Sequence, residues 1–134
     1  PAGLYNDDGY TSWDKLIEDG VISIGNKRII VNNKNALNGD LVIIDDGSVE
    51  NINATCFKDC KNLTSVIIPN GMIQIGENAF NGCTGLASVT FGKSLYEVSY
   101  SFDNCTNLSE IIVKFNNRFY KTRNKISIIK FNIR

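Results

Sequence analysis

The chain has 134 residues, 43% of them hydrophobic, with 14 Lys/Arg balanced by 14 Asp/Glu, four cysteines and no histidine. That length suits one domain with one elongated core. Without histidine there is no Ser-His-Asp or Cys-His nucleophile, and no apolar run is long enough to span a membrane.

The zero net charge is unevenly laid out. Residues 1–113 carry 7 Lys/Arg against 14 Asp/Glu, whereas residues 114–134 carry 7 Lys/Arg and no acid. No secretory leader is visible and the chain opens on Pro1, so it is expected to be a mature or trimmed fragment.

Residues 1–10 are rich in Gly, Asp and Asn and are expected to be poorly ordered. Ser12 is placed to start a helix, with Trp13, Leu16 and Ile17 on its apolar face and Gly20 as its stop. Apolar runs at 21–24 and 28–31 flank Gly25, Asn26 and Lys27, a hairpin signal. Helix and hairpin (1–36) are expected to form an N-terminal cap over the body of the chain. Trp13 is expected to pack inward rather than to serve as a ligand platform. Residues 41–44 form the next expected strand, with Asp45, Asp46 and Gly47 as its turn. The later turns do not keep those acids, which argues against a calcium site.

The rest of the body is one phrase written three times. Phe57, Cys60, Leu63, Val66 and Ile68 recur 23 residues later as Phe80, Cys83, Leu86, Val89 and Phe91. They recur again, 22 residues further on, as Phe102, Cys105, Leu108, Ile111 and Val113. A fixed period of this size signals a solenoid, and Leu63-x-x-Val66-x-Ile68 matches the leucine-rich-repeat strand. Strands are expected at 41–44, 63–68, 86–91 and 108–113, side by side and parallel. On the return path Met72 and Ile75 point inward, as do Val49/Ile52 and Leu95/Val98 at the same spacing. A short helical or 3₁₀ turn then leads to Phe57, Phe80 or Phe102. One coil's apolar side chains cannot offset the ordering of 23 residues, so stacking must stabilise the array.

The phrasing resembles the BspA-like leucine-rich repeats of bacterial surface proteins, over about residues 37–113. The resemblance implies a right-handed solenoid of ~23-residue coils, mainly β with short turns. It also implies an extracellular or cell-surface setting, secretion, and adhesion or protein-binding roles. It brings no catalytic residues.

Cys60, Cys83 and Cys105 hold one position in successive coils and are expected to form a buried ladder of free thiols; a disulfide between adjacent coils is the other reading. Cys56 matches Ala79 and Ser101, a slot for small residues. Zinc would want closely paired cysteines or histidine. No phosphate-cradling glycine motif is present. Four Asn-x-Ser/Thr triplets begin at Asn53, Asn62, Asn104 and Asn107; they are incidental to the repeat in a bacterial protein and glycan acceptors in a secreted eukaryotic one.

Residues 114–134 leave the repeat but keep strand character, with Ile129, Phe131 and Ile133 alternating with polar residues. A partner strand is expected at 118–121. The segment reads as a C-terminal cap, or as a basic arm for anionic polymers or lipids.

Between each pair of inward apolar residues one side chain must face outward. Those are taken to be Ile43, Ile67, Thr90 and Ile112, rimmed by Leu41, Ser65, Ser88 and Glu110. Such a row is a candidate partner-binding strip. The expected function is therefore a non-catalytic binding module for a protein or glycan, with self-association through the sheet as a further use. The competing reading is a structural spacer or capping segment of a longer surface array. No cofactor, metal, nucleic acid or membrane span is expected.

Overall fold

The computed structural model describes residues 12–98, 100–114 and 126–129. It is a β-solenoid of about four turns. Helix α1 (Trp13–Glu18) buries Trp13 and Leu16, while Ile17 is left 39% exposed and so departs from the expected apolar face. A helix this short has only one inward stripe, and Trp13 and Leu16, three residues apart, fill it. Gly20 ends the segment at φ +73, a conformation glycine adopts without steric cost.

Strands β1 (Ile22–Gly25) and β2 (Arg28–Val31) form the expected hairpin. Gly25 pairs with Arg28, so the loop is only Asn26 and Lys27, at φ 52 and 60. Two positive φ values make the kind of turn whose twist matches that of the strands. A 3₁₀ turn (Lys34–Ala36) follows, capped by the Asn33 side chain, which accepts from the Asn35 N–H at 3.2 Å.

The coils build two sheets. Strands β3 (Gly39–Val42), β5 (Leu63–Ile67), β7 (Ser88–Phe91) and β8 (Glu110–Lys114) pair in parallel in that order. Val66 lies beside Val89, and Val89 beside Ile111, as the period requires. On the other side of the coil, β4 (Asn51–Ile52) and β6 (Gln74–Ile75) pair in parallel with each other. Strand β2 pairs in parallel with β4 through Arg28 and Asn51. The hairpin therefore continues the second sheet at the same step of 23: Arg28, Asn51, Gln74 and Glu97 stand in one line.

The first coil differs from the expectation by one residue. Leu41 pairs with Val66 and Val42 with Ile67, so the inward pair is Leu41 and Ile43. The ladder slips between Gly39 and Asp40, where Thr64 of the partner strand has no opposite number. The turn after β3 is correspondingly longer. There Ser48 N–H donates to Asp46 Oδ1 at 2.9 Å, closing an Asx turn.

Between the sheets runs a single core that includes Leu63, Val66, Ile68, Met72, Ile75 and Phe80 and their equivalents. Each coil closes through a turn hydrogen-bonded to the next: Phe57 N–H donates to Ala79 O at 2.7 Å and Phe80 N–H to Ser101 O at 2.8 Å. Strand β9 (Ile126–Ile129) pairs antiparallel with β8, Ile112 opposite Ile128. The strand expected at 118–121 lies outside the described residues.

Candidate functional site

Between its two inward apolar residues each coil of the first sheet presents one outward side chain. These are Val42, Ile67, Thr90 and Ile112, all half-buried and in register. Ile43, expected in this row, is 1% exposed and belongs to the core. The error has a physical origin. Residues 41–44 are all apolar, so alternation cannot tell their two faces apart, and counting back from the turn puts them one residue out. Ile67, Thr90 and Ile112 stand where expected. The flanking column is Asp40, Ser65, Ser88 and Glu110; Leu41, expected there, is buried. Asp40 Oδ1 accepts from Thr64 Oγ1 at 2.9 Å and from Ser65 Oγ at 2.8 Å, which fixes the acid at one corner of the sheet.

The second sheet carries a groove of about 540 Å³. Its walls include Arg28, Asn51, Asn53, Gln74, Glu97 and Tyr100. Arg28 Nη1 donates to Asn53 Oδ1 at 2.7 Å, and Gln74 Nε2 to Glu97 Oε1 at 2.9 Å. Sequence reading misses this face. The signal is present, since Arg28 and Ile29 precede Asn51 and Ile52 by one period, but the hairpin does not otherwise look like part of the repeat.

The thiols form the third feature. Cys83 Sγ donates to Phe57 O and Cys105 Sγ to Phe80 O, each at 3.1 Å. Cys56 Sγ donates to Ile29 O at 3.4 Å. Ser101, in the matching slot, donates to Ile75 O at 3.2 Å and Gly76 O at 2.9 Å. At Cys56 and Ser101 the small-residue slot thus tethers the turn to the coil before it, while Ala79 fills the slot without a side-chain hydrogen bond. All four cysteines are free; Cys60, Cys83 and Cys105 are buried and Cys56 is half-buried. Burial pushes the Cys56 thiol up to about 12 and the Cys60 thiol up to about 11 from the ordinary 9.0. Cys83 is pushed up by the neighbouring Cys105 thiol and by burial. A thiol held protonated is a poor nucleophile and a poor metal ligand. Among the described residues no group of three or more His, Cys, Asp or Glu is placed to hold a metal ion. No helix among them is long and apolar enough to cross a membrane.

A strand ending in x-Val-x-Ile, a return path and a Phe-x-x-Cys turn, stacked at about 23 residues, define a leucine-rich-repeat solenoid. The model for the BspA type leucine rich repeat region matches residues 35–133 in six copies, and the chain belongs to that family. No curated protein and no solved structure is a match to the chain. Members of the family are commonly surface repeat proteins, and the repeat is generally a non-catalytic protein-interaction fold.

Proposed function

We propose that the protein is a non-catalytic surface module that binds another protein through the first sheet, in an adhesion or host-interaction role. The observation that carries this reading is the row Val42, Ile67, Thr90 and Ile112, half-exposed in every coil. Strand neighbours lie about 4.8 Å apart, so the row is a continuous strip. Three of its four members are apolar and β-branched. β-propensity accounts for part of that choice, but propensity is equally served by threonine, which appears only once. Asp40 and Glu110 stand at the two ends of the flanking column. An apolar strip with an acidic and hydroxylic rim suits a protein surface with apolar side chains flanked by basic ones. Repeat solenoids use their extended sheet surfaces in this way.

The test is capture of purified host-surface and matrix proteins by the immobilised protein, followed by affinity measurement with Ile67→Lys/Ile112→Lys. Both side chains are half-exposed, so the double variant should fold with an unchanged melting temperature and lose at least about tenfold in affinity, the scale of one lost apolar anchor. Unchanged affinity in a folded double variant would place the site elsewhere.

A further inference from the structure

The second sheet has a different chemistry from the first. Its outward line runs Arg28, Asn51, Gln74, Glu97, one residue per coil, with Asn53 beside Arg28. Every one of these side chains ends in a planar group that forms hydrogen bonds in fixed directions: a guanidinium, three amides and a carboxylate. Donors and acceptors are mixed along the line. Two pairs are already locked, Arg28 to Asn53 and Gln74 to Glu97, which orients the remaining donors and acceptors before any ligand arrives. The groove they line, about 540 Å³, is within the usual range for a small-molecule site.

Tyr100 stands at the end of this groove, and its presence there is not explained by stability. It occupies the position held by Thr55 and Asn78 in the preceding coils, and all three have positive φ: 63, 60 and 51 for Thr55, Asn78 and Tyr100. The turn imposes that conformation in every coil: asparagine tolerates it, whereas Thr55 and Tyr100 both bear its cost, and of the two only Tyr100 brings a large ring to the groove. Tyr100 is also 67% exposed, so its ring gains little from burial. An exposed aromatic held in a costly backbone conformation beside a polar groove points to a ligand.

The geometry points to a carbohydrate site in which a neutral oligosaccharide lies along Arg28, Asn51, Gln74 and Glu97 with one sugar face stacked on Tyr100. Sugar hydroxyls donate and accept at once, which matches a wall of mixed donors and acceptors. The C–H face of a pyranose is apolar and flat, which matches an exposed ring. The lining carries one guanidinium, Arg28, and two carboxylates, Glu77 and Glu97. That balance disfavours an anionic ligand and leaves no strong attraction for a cationic one. The repeat of the line, about 4.8 Å per coil, suits a polymer of similar units better than a single compact ligand.

The test uses the whole protein and a panel of neutral oligosaccharides, cello-, xylo-, manno- and chito-oligomers, with a sulfated heparin fragment as the charged comparison. Binding is followed by calorimetry and by backbone amide shifts. At least one neutral oligomer should bind and move the amides of Asn51, Gln74 and Gly76. Gln74→Ala should weaken it about tenfold, the scale of a hydrogen-bonded contact. Tyr100→Asn is the decisive variant, because asparagine suits the positive φ: its melting temperature should hold or rise while binding falls about tenfold. Tyr100→Phe should keep most of the affinity. Ile67→Lys/Ile112→Lys lies on the other sheet and should bind the oligosaccharide normally, which separates this site from the protein-binding row. No binding across the neutral panel would overturn the assignment. So would preference for the sulfated fragment, or wild-type affinity in both Gln74→Ala and Tyr100→Asn.

Discussion

The ring of Phe57 lies flat on the ring of Phe80, 4.9 Å between centroids and 5° between planes. Phe102 continues the stack at 5.2 Å and 9°. Phe57 and Phe80 thus each touch the ring in the next coil, and the column joins the coils through their turns. Phe80 has a ring on both sides and is fully buried, whereas Phe102 is 7% exposed. Phe80→Ala should cost about 3–5 kcal/mol, the usual range for deleting a buried aromatic. Denaturant unfolding at constant slope gives the number. A midpoint close to wild type would show that the column is not core.

Cys56 and Cys60 make stability fall at high pH. A thiol whose folded pKa exceeds its unfolded one favours folding while it stays protonated. That contribution is complete below about pH 9 and is lost as pH rises toward about 11 for Cys60 and about 12 for Cys56. Alkaline titration of the melting temperature should therefore show a decline beginning near pH 9, shallower in Cys60→Ala. In the native state at pH 8 thiol labelling should be slow, Cys56 reacting first because it alone is half-buried, and complete in denaturant. An equal slope in wild type and Cys60→Ala would remove Cys60 from this account.

Much of this fold is legible in the sequence because a solenoid repeats one local solution. Val66 beside Val89, the inward Met72 and Ile75, the Phe column and the reduced thiol ladder all follow from a period of 23. Two things escape. The first strand is misplaced because Leu41, Val42, Ile43 and Ile44 carry no alternation and a slip at Gly39/Asp40 breaks the count. The groove escapes because its side chains meet only across coils: Arg28 and Asn53, 25 residues apart, share a hydrogen bond that no local window contains. Half of the candidate surface is thus visible as a row of outward residues, and the other half needs the second sheet.

The edge of the first sheet offers a sharper experiment. Strand β9 covers β8 in antiparallel register, Ile111 to Ile129 through Lys114 to Ile126. An uncovered strand edge is a template for pairing with another chain. Proline removes a ladder donor, and alternate residues of β9 aim their N–H groups at β8. Of Ser127→Pro and Ile128→Pro, at least one should therefore detach β9. That variant should show faster amide exchange at Ile111 to Val113 and a rising share of dimers and larger species by light scattering. A monomer with unchanged exchange in both variants would mean that β9 does not protect the edge.

Two glycines in neighbouring turns should respond in opposite directions to the same substitution. Gly92 follows β7 one period after Pro69 and packs directly on it. A methyl group added at Gly92 would lie 2.6 Å from the Pro69 carbonyl carbon and 2.8 Å from Asn70 Cα. Both are backbone atoms and cannot swing aside. The Pro69 carbonyl is also engaged, accepting from Met72 N–H at 3.1 Å, and Asn70 Oδ1 accepts from Lys93 N–H at 3.2 Å. Gly92→Ala must push the two turns apart and strain these bonds, which should cost about 1–3 kcal/mol, as overpacking does. Gly71 lies two residues after Pro69 in the same turn. Its φ is not positive, and the nearest atom to an added methyl is Asp45 Oδ1 at 3.9 Å. Gly71→Ala should therefore leave the fold intact and stabilise it by about 0.4–1 kcal/mol, by restricting the unfolded chain. Denaturant midpoints of the two variants decide the matter. Equal destabilisation would mean that the turns tolerate no side chain at all, and equal tolerance would mean that successive coils are not seated against each other at Pro69 and Gly92.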